Sequence, residues 1–98
     1  MTENTQDLKK TALVTGGSRG IGASIAHKFA DQGYNIVIVS RSGSTENHIQ
    51  ALESKNVVVK DFKGDVTDTD FAKEIMTFIK ANLQTIDVLV NNAGITRD

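Results

Sequence analysis

The run Thr15-Gly16-Gly17-Ser18-Arg19-Gly20-Ile21-Gly22 lies between an apolar segment, Ala12-Leu13-Val14, and a stretch with the periodicity of an amphipathic helix. It predicts a tight turn from a strand into a helix. A helix N-terminus presents unpaired backbone N–H groups and a partial positive charge, and glycines let a phosphate approach them without a Cβ in the way. A turn with no ligand is the alternative interpretation. Three glycines at this spacing favour a site for the pyrophosphate of a nucleotide.

Short β-branched runs alternate with helical patterns on the carboxyl side of this turn. Such alternation predicts βαβ units, an α/β fold and a parallel sheet. The predicted strands cover residues 11–15, 36–39, 57–59 and 86–90, and the predicted helices cover residues 20–32, 45–54 and a segment from residue 67 or 68 to 79. Right-handed crossovers then give the strand order 3-2-1-4, with helices on both faces and a ligand crevice at the carboxyl ends of the first and fourth strands.

Length and composition limit the classes of function. The chain has 98 residues, 39% of them hydrophobic, which is enough for one small domain, with residues 1–10 as a polar lead-in. A formal net charge of −1 gives no electrostatic reason to expect nucleic acid or a membrane surface as a partner. The absence of cysteine fits a reducing compartment. No apolar run approaches the roughly 18 residues of a membrane span, so we expect a cytoplasmic protein.

Side chains near the turn indicate which dinucleotide would bind. Ser18 can donate its hydroxyl to a phosphate oxygen, and Arg19 places a permanent cation near the adenosine end. After the second strand, where an NAD-binding domain usually has an acid for the ribose 2′-hydroxyl, the sequence has Ser40-Arg41-Ser42. Arg41 can pair with a 2′-phosphate that an acid would repel, whereas the alternative is a solvated loop arginine. We therefore predict NADP(H) rather than NAD(H) as the cofactor.

Two further motifs follow predicted strands. Asp65 can accept a hydrogen bond from the exocyclic amine of adenine while Val66 packs against the ring, or Asp65 can instead cap the following helix. In Asn91-Asn92-Ala93-Gly94, the small residues allow close backbone approach to a ribose, and the amides can tie the fourth strand to its neighbours. We assign the first asparagine a structural role and the other three residues cofactor contacts.

Signals for a metal site are weak. Asp65, Asp68 and Asp70 do not have the spacing of an EF-hand loop. Neither His27 nor His48 has a partner at ligand spacing, and both are predicted to be surface histidines. No metal site is predicted.

The glycine spacing G-x-x-x-G-x-G, the Asp65-Val66 pair and Asn91-Asn92-Ala93-Gly94 together resemble the short-chain dehydrogenase/reductase family. The resemblance runs from about Leu8 to Asp98, and the ending Ile95-Thr96-Arg97-Asp98 looks most like bacterial 3-oxoacyl-[acyl-carrier-protein] reductases. It implies a Rossmann-like fold and, in the parent enzymes, NADPH-dependent reduction of a 3-oxoacyl group held by acyl carrier protein in fatty acid synthesis. The implied cofactor-binding residues are Gly16, Gly17, Ser18, Arg19, Gly20, Ile21, Gly22, Arg41, Asp65, Val66, Asn92, Ala93 and Gly94.

The same resemblance implies catalytic residues, a serine and a Tyr-x-x-x-Lys pair, that lie beyond the matched region in longer family members. The one tyrosine here, Tyr34, is followed four residues later by Ile38 and not by lysine. We therefore expect a truncated, amino-terminal half of a reductase that is inactive alone. An apolar fourth strand, Val88-Leu89-Val90, would then lie at the sheet edge, and we expect self-association through this edge or through the helix faces that the rest of a longer reductase would cover. The alternative is a stand-alone, non-catalytic module that binds a nucleotide or pairs with reductase subunits.

Overall fold

A four-stranded parallel sheet forms the centre of the computed structural model, which describes residues 9–92. The elements are β1 (Thr11–Thr15), α1 (Gly20–Asp31), β2 (Asn35–Ser40), α2 (Glu46–Glu53), β3 (Val59–Lys63), α3 (Thr69–Asn82) and β4 (Val88–Asn91). Every pair of neighbouring strands is parallel, and the order is β3-β2-β1-β4. The predicted strand order is therefore confirmed.

Helices cover both faces of the sheet, as predicted. α1 and α2 cover one face, where the buried residues are Ala12, Val14, Ala26, Ala30, Ile36, Ile38, Leu52 and Val57. α3 covers the other face, where the buried residues are Leu13, Val37, Val39, Phe62, Ile75, Ile79 and Leu83. β2 is buried at all six of its positions because it has a strand on either side and helices above and below.

The predicted bounds of the third strand, residues 57–59, were wrong, because β3 runs from Val59 to Lys63. The prediction followed the apolar run at residues 57–59. However, β3 is an outer strand, next to β2, and its side chains alternate between the core and solvent. Val57 is buried in the core while Val58 is 48% exposed. The other predicted elements agree with the structure to within two residues at either end, except that α3 continues three residues beyond residue 79, to Asn82. Gly33, predicted to end the first helix in a left-handed conformation, has φ 89°.

Two of the three helices within residues 9–92 begin with a side-chain cap. The Thr45 hydroxyl accepts a hydrogen bond from the His48 N–H at the start of α2 (3.2 Å). At the start of α3, Asp68 Oδ1 accepts from the Asp70 and Phe71 N–H groups (2.9 and 3.4 Å). None of the helices within residues 9–92 is long and apolar enough to cross a membrane.

Candidate functional site

The residues predicted to bind a cofactor follow the carboxyl ends of the strands. Gly16 follows β1, Arg41 follows β2, Asp65 lies two residues after β3, and Asn92 follows β4. Because all four strands are parallel, these ends lie at one edge of the sheet. The fold thus brings residues that are up to 76 positions apart to the same edge, where α/β proteins bind their ligands.

Hydrogen bonds to β2 and to the residue that follows β4 hold the glycine-rich turn in place. The Gly16 N–H donates to the carbonyl oxygen of Val39 in β2 (2.7 Å). The Gly16 carbonyl oxygen accepts from Nδ2 of Asn92, whose side chain is 5% exposed (3.3 Å). Asn92 was predicted to contact the cofactor, and the structure shows that its amide braces the turn. Its direct contact with a cofactor stays a prediction.

Each glycine of the G-x-x-x-G-x-G motif has a physical reason to be glycine. Gly16 and Gly20 have φ values of 70° and 62°, in the left-handed region that side chains disfavour. Gly22 lies so close to the turn that an added Cβ would be 2.8 Å from Asn92 Nδ2 and from the Gly16 carbonyl carbon, and closer still to the Gly16 oxygen. The third glycine therefore lets α1 approach the turn.

The N-terminus of α1 lacks the caps that the other helices have. Arg19 precedes the helix in an extended conformation (φ −161°, ψ 172°), makes no side-chain cap bond, and no acidic residue occupies the first turn. The first N–H groups of a helix and its dipole attract an anion when no side chain satisfies them. Ile21 in this turn is 66% exposed and so presents an apolar surface next to the uncapped helix end.

Asp65 and Arg41 lie near each other at the ends of β2 and β3. Hydrogen bonds from the Thr67 N–H (2.9 Å) and hydroxyl (2.7 Å) hold the pKa of Asp65 below its usual value, and the charge of Arg41 lowers it further. The alternative interpretation, in which Asp65 caps the next helix, is not what the structure shows, because Asp68 is the cap. Val66 beside it is 47% exposed.

The loop that carries Arg41 is fastened to β3. The Ser44 N–H and hydroxyl donate to the two carboxylate oxygens of Asp61 (3.1 and 2.7 Å), and the Gly43 N–H donates to the Ser40 hydroxyl (3.0 Å). Sequence reasoning did not identify Asp61, because a single acid in an alternating strand carries no local signal of such a contact.

His48 contacts the glycine-rich turn, which the sequence analysis did not predict. Its Nε2 atom lies 3.0 Å from the Gly17 carbonyl oxygen, and its ring centroid is 5.2 Å from that of His27. Both histidines are half-buried and thus keep part of their surface exposed, but the sequence analysis did not predict the contact between their rings. Burial, followed by the charges of His48 and Lys55, lowers the pKa of His27, against a smaller opposing effect of Asp31.

The remaining predicted residues divide into two groups. The Thr15 hydroxyl can donate its one hydrogen to Asn91 Oδ1 (3.2 Å) or to the Val90 carbonyl oxygen (3.3 Å), which agrees with the structural role predicted for Asn91. Ala93 and Gly94 lie outside the described residues, and their cofactor contacts stay predictions. Within residues 9–92, no three His, Cys, Asp or Glu side chains are grouped so as to hold a metal ion.

Comparison with known proteins places this geometry in a family. The family model described as short chain dehydrogenase matches residues 10–98. The chain belongs to the short-chain dehydrogenase family. It is 43% identical over 94 residues to the 3-oxoacyl-[acyl-carrier-protein] reductase FabG of Staphylococcus aureus, an alignment that covers 93% of this chain and 38% of that protein. The chain therefore spans little more than a third of the length of this relative.

Solved structures of family members agree with the fold. A 3-oxoacyl-[acyl-carrier protein] reductase from Brucella melitensis superposes with a TM-score of 0.77 and 36% identity, covering 87% of this chain and 34% of that one. A 3-oxoacyl-[acyl-carrier protein] reductase from Brucella melitensis in complex with NAD gives a TM-score of 0.75 at 36% identity, covering 87% of this chain and 33% of that one. The Rossmann-like architecture predicted from the sequence is therefore confirmed for the described residues.

Proposed function

We propose that this chain is the NADP(H)-binding half of a short-chain reductase. The observation that carries the proposal is the turn between β1 and α1, which combines two left-handed glycines, a third glycine in close contact, and a helix N-terminus without a side-chain cap. Such a turn suits the pyrophosphate of a dinucleotide. The similarity to a Brucella reductase whose structure contains NAD supports it.

Selection of NADP(H) over NAD(H) rests on Arg41. This exposed guanidinium follows β2, where the ribose of the adenosine would lie, and the Ser44–Asp61 bonds fasten its loop. A guanidinium forms charge-assisted bonds with a 2′-phosphate and gains nothing comparable from a 2′-hydroxyl. Arg19, Ser18 and the backbone of the turn would hold the pyrophosphate and adenosine side, and Val66 and Asp65 would contact adenine.

Calorimetric titration with NADPH and NADH tests this proposal. We expect wild type to bind NADPH more tightly, and R41A to weaken NADPH about tenfold, the size of one charge-assisted bond, with little effect on NADH. K73A, which removes an exposed lysine of α3, is the matched control and should leave both affinities unchanged. Equal affinity of wild type for the two nucleotides, or equal loss of both in R41A, would contradict the role of Arg41.

The reaction of the parent enzyme would be hydride transfer from NADPH to the ketone of a 3-oxoacyl thioester carried by acyl carrier protein. The alkoxide that develops needs a proton donor. Tyr34 is not placed for this task, because it precedes β2 at the opposite edge of the sheet and packs edge-on against Phe29 (5.0 Å between ring centroids). Ile38, four residues later, is fully buried. We propose that the 98-residue chain does not catalyse the reduction by itself.

An activity assay separates this proposal from a catalytic chain. The purified 98-residue protein should show no NADPH oxidation with a 3-oxoacyl thioester under conditions in which the S. aureus reductase is active. NADPH oxidation by the purified chain, after mass spectrometry has excluded full-length reductase from the sample, would contradict the proposal that the chain is inactive alone. The second candidate, a non-catalytic module that pairs with reductase subunits, is favoured if the chain binds NADPH and also binds the full-length reductase.

We also propose that the chain associates with itself through β4. Among the described strands β4 ends the sheet on one side, and Leu89 within it is 63% exposed. An outer strand with unpaired backbone groups and an apolar side chain favours pairing with a second copy. We separately propose a cytoplasmic location, which is supported by the absence of cysteine from the sequence.

A further inference from the structure

We propose that His48 is a positioning residue for the phosphate-binding turn, which it reaches from α2 to hold the peptide between Gly17 and Ser18 in one orientation. The significance of that orientation for a dinucleotide rests on the proposed function, whereas the effect on the turn itself does not. The contact is the 3.0 Å approach of His48 Nε2 to the Gly17 carbonyl oxygen, across 31 positions of sequence.

The chemistry of this contact fixes which atom donates. A carbonyl oxygen only accepts, so Nε2 carries the hydrogen, as it does in one neutral tautomer of histidine and in the protonated ring. The peptide bonds of the described residues are trans, so the carbonyl of Gly17 and the N–H of Ser18 lie in one plane and point in opposite directions. Holding the Gly17 oxygen toward α2 therefore directs the Ser18 N–H away from α2.

The neighbouring peptide is held in a comparable way by a different element. Asn92 Nδ2 donates to the Gly16 carbonyl oxygen (3.3 Å), which by the same geometry directs the Gly17 N–H. Two successive peptides of the turn are thus oriented by two side chains, one that follows β4 and one in α2. Successive backbone N–H groups held in a turn form an anion-binding concavity. Glycine has the most backbone freedom to lose, so this segment gains most from such restraint.

The imidazole of His48 is well placed to act as a fixed support. Its own backbone N–H donates to the Thr45 hydroxyl that caps α2 (3.2 Å), which sets the helical position of the residue. Its ring lies against that of His27 on α1, with centroids 5.2 Å apart and planes inclined by 53°. An ion pair between Lys55 and Asp31 joins α1 to the residues that follow α2. The position of His48 Nε2 is therefore restrained both by the start of α2 and by the His27 ring on α1.

Backbone ¹⁵N relaxation of the ligand-free 98-residue chain tests the proposal directly. H48A should lower the order parameters of the Gly17 and Ser18 amides toward the flexible range, while the strands keep their wild-type values. H48Q should restore them, because glutamine Nε2 is the same number of bonds from the backbone as histidine Nε2. Unchanged order parameters in H48A, or a glutamine variant as mobile as the alanine variant, would overturn the proposal.

A second pair of variants keeps the test decisive if H48A fails to fold. Asparagine is one bond shorter than glutamine, so H48N should leave the turn mobile where H48Q does not, and equal behaviour of the two would refute the role of Nε2. NADPH titration then adds the link to function. We expect H48A to bind about fivefold more weakly, the size of one hydrogen bond, and H48Q to bind like wild type. If wild type binds no NADPH, the proposed function fails while the relaxation data still decide the role of His48.

Discussion

The replacement of Gly22 by alanine tests the packing of α1 against the turn. The new Cβ would lie 2.8 Å from Asn92 Nδ2 and from the Gly16 carbonyl carbon, and closer to the Gly16 oxygen. Overpacking costs about 1–3 kcal/mol, and a backbone neighbour tied to Val39 places this case in the upper half of that range. Alanine in a helix gains about 1 kcal/mol over glycine. We therefore expect G22A to lower the free energy of unfolding by about 1–2 kcal/mol.

Urea unfolding measures this loss, and thermal unfolding should show it as a Tm lowered by roughly 4–8 °C per kcal/mol for a domain of this size. The matched control is S24A, at an exposed position of the same helix, which changes helix propensity and not packing. G22A should also weaken NADPH binding, because the turn must shift to make room, whereas S24A should not. A G22A protein as stable as wild type, with unchanged NADPH affinity, would refute the close approach of helix and turn.

Three further predictions concern stability and assembly. The pKa of His27 lies below 6.5 in the folded chain, so the unfolded chain binds more protons near that pH. The free energy of unfolding should therefore fall as the pH falls through 6.5, and urea titrations should show a smaller fall for H27Q than for wild type. D68A removes the cap of α3 and should cost about 1 kcal/mol in urea unfolding, whereas no loss would show that the cap is unimportant. L89K should reduce self-association in sedimentation velocity, and a monomeric wild type at high concentration would contradict association through β4.

The parts of the fold that could be predicted are those with a strong local pattern. The apolar run of β2, the periodicity of α1 and the glycines that precede α1 fix the central elements, and the handedness of parallel crossovers then leaves the order β3-β2-β1-β4. The third strand was misplaced because Val57 and Val58 of the apolar run precede it, while β3 itself carries two lysines and an aspartate that an outer strand tolerates.

The sequence predicted the part of the candidate site that the glycine motif forms, but it did not predict the contacts that form when the helices and loops pack together. Gly16 and Gly20 show the left-handed backbone that the glycine spacing indicates. The contacts of His48 with Gly17 and of Asp61 with Ser44 join residues 31 and 17 positions apart, and they exist only because α2 packs beside α1 and the loop after β2 folds onto β3. No periodicity or spacing in the sequence encodes such contacts.

The central claim is that a dinucleotide binds at the carboxyl edge of the sheet, and an NMR titration of the ¹⁵N-labelled chain with NADPH tests it most directly. The largest amide shifts should fall in the segment 16–22, with further shifts at Arg41 and Asp65. An absence of shifts at that edge would contradict the claim. So would shifts confined to the groove at the opposite edge, which Lys9, Asn35 and Asp87 line.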